Sequence, residues 1–470
     1  MAYIDTFTGF NILAVVGLML VIGVVLRAKI KVLQNFLIPA AIIGGAIGFI
    51  LVNTGVIPFE PKQFVNFSMH AFIISFMSLC LTNKAADEPE TDKKEYLRGS
   101  LWMSFIWAGS CGLQAVVGGL LLVAYNKVTG SSFSEMFGYI ATHGFTQGPG
   151  QGLAYGKMWA NLGGSADLPI VGLIYANVGF IFAFIIGVPL ARFFIKQGKN
   201  ANQKANIEQE YLVGILQDKS GSSMGHEKTH PANIDTLAFQ LSILFICYGI
   251  TFLYMKYALV HLKGLPVVGV LSSWGLFFFH GLVVATLVRL FINKIGLGHM
   301  LSVRLQKHIT GAAVDVLLVA SFMSVSFQVL VSYLGPIIVI SIGILAATFF
   351  YIWFFGRKLS HLGPERMIAQ LGCCTGATGN GLLLLRILDP DYSTGVSLEL
   401  AFFNIAILFT AAVPMFVIAP NVPNMGFLSI IGYYALYTLF CFGVVWYFGS
   451  QKDTAISTGK TSAPSIPAEQ

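Results

Sequence analysis

Nearly charge-free apolar stretches of bilayer-crossing length recur along most of this chain, and they leave it few folds to choose from. Inside hydrocarbon, backbone N–H and C=O groups have no water to bind, so a spanning segment must satisfy them internally. A crossing helix needs roughly 17–25 mainly apolar residues. Segments that meet this rule fall near residues 8–26, 36–57, 65–82, 100–125 and 169–191, then 236–260, 265–288, 309–331, 336–355 and 397–419, with an extra one at 427–449. Hydrophobic residues make up 56% of the 470 and charged residues 10%, a balance that no soluble domain of this size shows. The expected fold is an all-α polytopic membrane protein.

The basic balance (pI near 9.0) comes from Lys and Arg placed in short loops between apolar segments. That is a footprint of membrane topology, and no nucleic-acid partner is expected. The six cysteines lie in apolar or motif segments without metal-type spacing, and read as small buried hydrophobes. Asp5 is the only early charge, so the first apolar segment reads as a retained span and not a cleaved signal.

Two segments, 135–160 and 364–388, are too rich in glycine and too polar at their centres to be ordinary spans. The first contains Thr146-Gln147-Gly148-Pro149-Gly150-Gln151-Gly152-Leu153, followed by Lys157. The second contains Thr375-Gly376-Ala377-Thr378-Gly379-Asn380-Gly381-Leu382, followed by Arg386. One register aligns Thr146 with Thr375, Gly150 with Gly379, Gln151 with Asn380, Gly152 with Gly381 and Lys157 with Arg386. Suppose the N-terminus is outside and both segments dip in and return on one side. The inside then receives every one of the 28 Lys and Arg except Lys62, Lys127, Lys157, Lys256 and Lys263. Letting 135–160 cross would throw the loop after Arg192 outside and spoil this asymmetry. Two re-entrant hairpins are therefore expected, the first entering from outside and the second from inside. Legs of about ten residues, ~15 Å of helix, reach the midplane of a ~30 Å core.

The duplication extends further. Ser75-Phe76-Met77-Ser78 recurs as Ser321-Phe322-Met323-Ser324, and Asn177 with Val188-Pro189 recurs as Asn404 with Val413-Pro414. Five crossings per half is an odd number, so the second copy starts on the opposite face, an inverted-topology repeat of the kind found in secondary transporters. The expected organisation is a first five-helix repeat at 1–196, a cytoplasmic linker at 197–235, and a second repeat at 236–420. An additional transmembrane helix at 421–450 and a disordered tail at 451–470 follow, which places the C-terminus inside.

Glycines let the chain turn sharply and let a solute approach the backbone. Short helices starting near Gly152 and Gly381 would aim N–H groups at the midplane, which suits a carboxylate. Freed carbonyls and neutral side-chain oxygens suit a hard cation such as Na⁺. The substrate-site candidates are thus Thr146, Gln147, Gly148, Gly150, Gln151 and Gly152 with Thr375, Gly376, Thr378, Gly379, Asn380 and Gly381, plus Arg386 as an anion attractor. Asn177, Asp315 and Asn404 are the sodium candidates, with interhelical hydrogen bonding the plainer use of both asparagines. Arg386 and Lys157 read equally well as snorkelling toward their own interfaces. Paired catalytic groups at motif spacing are missing, so no enzyme and no cofactor are expected; Na⁺ would be a coupling ion. A channel or non-transporting sensor on the same fold is the other class.

Gly148-Pro149-Gly150-Gln151-Gly152-Leu153-Ala154-Tyr155-Gly156-Lys157 resembles the G-x-G-x-G-[AL]-A-aromatic-small-K pattern of the bacterial sodium/glutamate symporter family. Gly187-Val188-Pro189-Leu190-Ala191-Arg192 and Gly376-Ala377-Thr378 fit it too, and the resemblance runs over roughly residues 8–420. It implies sodium-coupled symport of glutamate or a similar amino-acid anion by alternating access in the cell (inner) membrane, with hairpins meeting at the site. A related family of carboxylate transporters implies a homodimer with a moving transport domain. Pro149 stands where better-known members usually carry His, and Arg386 where they carry Gln. The alternative is therefore a sodium- or proton-coupled symporter of another small carboxylate.

Overall fold

Long apolar runs, which find no water partners in hydrocarbon, close their backbone bonds within each segment, and the regular structure among the described residues is wholly helical. The computed structural model describes residues 2–82, 93–202, 209–215, 227–230, 232–262, 272–390 and 394–450. The expected disordered tail 451–470, residues 203–208, 216–226 and 231 of the 197–235 linker, and Lys84, Lys263, Lys452 and Lys460 lie outside the described residues, as do Lys204 and Lys219 within that linker. The main helices are α1 (Ala2–Lys29), α2 (Ala40–Asn53), α3 (Pro61–Cys80), α4 (Lys93–Thr129), α5 (Met136–Phe145), α6 (Pro149–Asn161) and α7 (Leu168–Lys196). They continue as α8 (Thr236–Tyr257), α9 (Phe277–Lys294), α10 (Val303–Met323), α11 (Leu334–Gly356), α12 (Gly363–Cys374), α13 (Thr378–Leu388), α14 (Val396–Thr410) and α15 (Phe427–Ser450).

Eight helices among the described residues are long and apolar enough to cross a membrane. Three of the eleven expected spans take other forms. The 36–57 segment becomes α2, whose 14 residues reach only ~21 Å. Pro39 sets its start and the left-handed Gly55 (φ 76°) follows its end. The 309–331 segment breaks after α10, and the Asn53 amide fills the gap: it donates to the Val325 carbonyl (3.0 Å) and accepts from the Phe327 N–H (2.7 Å). The 397–419 segment stops at Thr410 and resumes as a π-helical turn, Val413–Ile418. Pro414 has no N–H to continue the ladder. The Thr410 carbonyl that Pro414 leaves free accepts from the Tyr437 hydroxyl, and farther along the carbonyls of Met415 and Ala419 accept from Tyr155 Oη (2.6 Å) and Trp159 Nε1 (2.8 Å) of α6.

The 37-residue α4 is the central post, with α5, α11, α14 and α15 packed along it. On another side, α3 lies along α10, α2 packs on α10, and α9 packs on α3. Each glycine motif sits over its own apolar cluster. The first is built around Phe72, Phe137, Tyr155 and Trp159, and the second around Trp107, Phe180, Leu384 and Phe403. All six cysteines are free, and all but Cys80 are buried.

Candidate functional site

Both glycine motifs are junctions between two short helices that pack against each other: α5 with α6, and α12 with α13. In the first, α5 ends at Phe145 and the chain turns through Thr146, Gln147 and Gly148. Gly148 sits at φ 85°, a conformation that side chains resist. Pro149 then opens α6 at the position where its missing N–H costs nothing. In the second, the Thr375 hydroxyl folds back onto the Leu371 carbonyl (2.6 Å). Ala377 is extended, and α13 begins at Thr378. The helices thus start at Pro149 and Thr378, three residues before the expected starts near Gly152 and Gly381. Gly152 and Gly381 serve close packing within the first turn. A Cβ on Gly152 would lie 2.9 Å from the Gly172 carbonyl oxygen of α7, and one on Gly381 2.6 Å from that of Ala369 in α12.

The two junctions meet. A Cβ built on Gly148 would stand 3.0 Å from the Gly376 carbonyl oxygen, so only glycine allows this approach. Gly179 of α7 packs beneath, against the Thr375 carbonyl and the Phe145 ring. The first four N–H groups of any helix lack intrahelical acceptors, so α6 and α13 both present donors beside the meeting point. Asn380 is 4% exposed, and its Nδ2, next to Gly376, has no hydrogen-bond partner.

One residue ties both junctions together, and sequence reasoning missed it. Gln114, fully buried in α4, accepts from the Thr146 hydroxyl (2.6 Å) and donates to the Cys374 carbonyl (2.9 Å) and to Thr348 of α11 (3.0 Å). Trp107, two turns earlier in α4, donates to the Thr146 carbonyl (3.0 Å). The available signal was a lone amide in the middle of an apolar span, a costly placement unless it is bonded.

Of the remaining candidates, Gln147 is turned toward α4 and α5. Its Nε2 is 3.4 Å from Cys111 Sγ, and its Oε1 is 3.0 Å from His143 Nδ1. Asn404 Oδ1 accepts from the hydroxyl of Thr378, the first residue of α13 (2.7 Å). Asn177 Oδ1 accepts from Ser321 of the repeated Ser-Phe-Met-Ser motif (2.8 Å). Both asparagines therefore sit at helix contacts close to the junctions. Gln151 is buried in the first turn of α6. Arg386 and Asp315 are placed elsewhere. Arg386 is exposed, eight residues and so ~12 Å beyond Thr378 along α13. Asp315 is exposed on α10, six residues before Ser321, and no ion pair joins it to Arg386.

The surroundings of the two junctions differ. The Phe72 ring of α3 lies directly over Gly150, and it belongs to an aromatic group with Phe76 and Phe278 at centroid distances of 4.8 and 5.2 Å. Gly379 is exposed, and a Cβ there would meet nothing within 4 Å. Gly379, Leu382, Leu383 and Arg386 form one face of α13 that is open at both ends and half-buried between.

A protein-family model described as Sodium/glutamate symporter matches residues 5–361, which is most of the chain. The chain belongs to the sodium/glutamate symporter family. A sodium/glutamate symporter of Haemophilus influenzae is 24% identical to it over 358 residues, 70% of this chain and 81% of the relative. This is a multi-pass membrane transporter and not an enzyme. The match contains the whole first junction of the symporter and stops just before α12.

Proposed function

We propose that the chain carries glutamate or a similar amino-acid anion together with Na⁺ by alternating access, at the point where the two glycine junctions meet. The observation that carries this is the Gly148–Gly376 approach, with Gln114 joined to both sides. Broken backbone at membrane depth is tolerated only where protein or a water-filled cavity surrounds it, and paired breaks are the usual seat of a transporter's substrate. The N-termini of α6 and α13 offer N–H groups to a carboxylate. The Asn380 amide adds a donor without a partner. The carbonyls of Thr146, Gly148 and Ala377 already accept protein N–H groups, which leaves those of Gln147, Thr375 and Gly376 to suit Na⁺. Asn177 and Asn404, each one hydrogen bond away from the neighbouring helix, are the sodium-site residues to test first, with Asp315 third.

In this reading the α5–α6 and α12–α13 pairs are re-entrant hairpins of two inverted five-helix repeats, 1–196 and 236–420. The reciprocal packing of α2 on α10 and α9 on α3 supports the repeat, as do the short lengths of all four half-helices. The orientation has the N-terminus outside, and the 197–235 linker, the C-terminus and the second hairpin's base inside. The protein works as a homodimer in the cell inner membrane. The covered Gly150 and open Gly379 describe a state closed on the first hairpin's side and accessible from the second's. Another small carboxylate is the second reading, favoured by Pro149 and Arg386 standing where better-known members of the family carry His and Gln.

Uptake of labelled glutamate into proteoliposomes, with and without an inward sodium gradient, tests the proposal. Accumulation that requires sodium supports it. Sodium-dependent thermal stabilisation without glutamate uptake transfers the site to another carboxylate, and accumulation driven by a proton gradient alone overturns sodium coupling.

A further inference from the structure

A second polar site lies at one end of the bundle. Arg98 is sixteen residues, ~24 Å of helix, from Gln114 along α4. The start of α4, the end of α11, the start of α12 and the end of α15 converge there on a cleft. It is lined by Arg98, Trp102, Ser360, His361, Arg366 and Phe448, and beneath a mouth open to solvent its enclosed part measures about 10 Å³, room for a single oxygen-sized group. The lining is rich in donors held in fixed positions. Arg366 is clamped by Glu399 (Nε to Oε2 2.8 Å, Nη2 to Oε1 2.5 Å) and donates Nη1 to the His361 carbonyl at 3.1 Å. Arg98 is anchored through Nε and Nη2 on the Phe448 carbonyl at 3.2 and 2.8 Å.

Trp102 lines the same cleft, 1% exposed, and its indole Nε1–H has no hydrogen-bond partner. Buried indole N–H groups nearly always find an acceptor, and an unmet donor here costs about 1–3 kcal/mol. Two arginines in the same lining set the character of the acceptor, because guanidinium favours oxyanions.

The neighbourhood fixes the depth of the cleft. Lys358 Nζ lies 3.5 Å from the Trp446 ring centroid, and the Arg357 guanidinium lies over Trp353 at 5.9 Å. Trp446 and Tyr447 are half-exposed on the outer surface of α15. Tryptophan and tyrosine mixed with lysine and arginine at helix ends mark the level of lipid headgroups. Basic pockets between membrane helices at that level recognise acidic headgroups.

We propose that this cleft binds a phosphate-type oxyanion, supplied by the headgroup of an anionic phospholipid, through Arg98, Arg366 and the Trp102 indole N–H. The bound lipid fastens α4, α12 and α15 together at the base of the second junction.

The test is retention of added phosphatidylglycerol against phosphatidylcholine by the purified full chain in native mass spectrometry. The wild type should prefer phosphatidylglycerol by about tenfold, close to 1.4 kcal/mol. Arg98→Gln should abolish the preference, and Trp102→Phe, which keeps the ring and removes the N–H, should lower it about threefold. An unchanged thermal unfolding midpoint in phosphatidylcholine shows that a variant is folded. Should Arg98→Gln fail to fold, Trp102→Phe decides alone. Equal retention of both lipids by the wild type overturns the proposal, as does an undiminished preference in both variants. Inorganic phosphate is the control for source. If it raises the midpoint of the wild type and not of the variants, while phosphatidylglycerol adds nothing, the oxyanion site stands and the lipid source falls.

Discussion

At Gly150 the ring of Phe72 lies over the start of its helix; at the matching Gly379 a side chain would meet nothing within 4 Å. The first junction is held on all sides, by α7 through Gly172, by α3 through Phe72, and by Trp107 and Gln114 of α4. The second is joined to α4 through the Cys374 carbonyl, to α7 at Gly179 and to α14 through Thr378, while its α13 face is open at Gly379 and Arg386 and half-buried between. Two motifs of the same composition therefore have different tolerance for substitution and different access to solvent.

The sharpest way to break this contrast is to add one methyl group to each glycine. Gly150→Ala pushes a Cβ into the Phe72 ring, and overpacking of this kind costs about 1–3 kcal/mol. Uptake should fall about tenfold or more, while Gly379→Ala stays within about twofold. Adding Phe72→Ala to Gly150→Ala should recover part of the loss, and a double-mutant cycle measures the coupling. Equal effects at both glycines would end the distinction between a covered and an open junction.

Gln114→Leu comes next in size. It leaves the Thr146 hydroxyl and the Cys374 carbonyl without their shared partner, at about 1–3 kcal/mol for each group that stays buried. A lower unfolding midpoint and a loss in kcat greater than the change in KM are expected, because the two junctions lose their common support. Unchanged kcat would mean that they are positioned without Gln114.

Cysteine labelling reads access directly, and the burial of all native cysteines except Cys80 keeps the background low. Cysteine placed at Gly379 should react with a membrane-impermeant maleimide and be protected by transported substrate. Cysteine at Gln151, buried in the first turn of α6, should stay unreacted in the same state. Labelling at Gln151 alone would reverse the assignment of the open side.

The smallest effect is expected at Arg386. The residue is exposed and ~12 Å from the start of α13, so Arg386→Gln should leave stability within about 0.5 kcal/mol. The KM for an anion should rise by no more than about threefold, close to 0.7 kcal/mol. A larger KM effect would make the α13 face part of the specificity path.

Several features could be read directly from the residues. Apolar length predicted the long helices, because the cost of an unpaired backbone group in lipid allows no other answer. Glycine, threonine and amide residues at 146–152 and 375–381 marked the two breaks, since only such residues tolerate the turn and partner the freed backbone. The Asn-containing spans after each junction did bring Asn177 and Asn404 into helix contacts beside the two junctions. Other likenesses misled. Val188-Pro189 and Val413-Pro414 look equivalent, yet α7 continues through Pro189 while the second copy opens into a π turn. Tyr155 and Trp159 of α6 stand ready to bind carbonyls at that turn, and that depends on a neighbour more than 250 residues away. Gln114 escaped notice for the same reason, since its importance lies in partners on α5, α11 and α12.

The sequence by itself determined a helical membrane protein, the two interrupted segments and the chemistry they offer, because hydrophobic length and backbone freedom are local properties. Only the tertiary structure decided that the junctions meet at Gly148 and Gly376, that one glutamine joins them, and that Phe72 covers one and leaves the other open. Those outcomes follow from packing between helices distant in the chain, where a single methyl group or one buried hydrogen bond shifts the balance by as much as a tenfold change in rate.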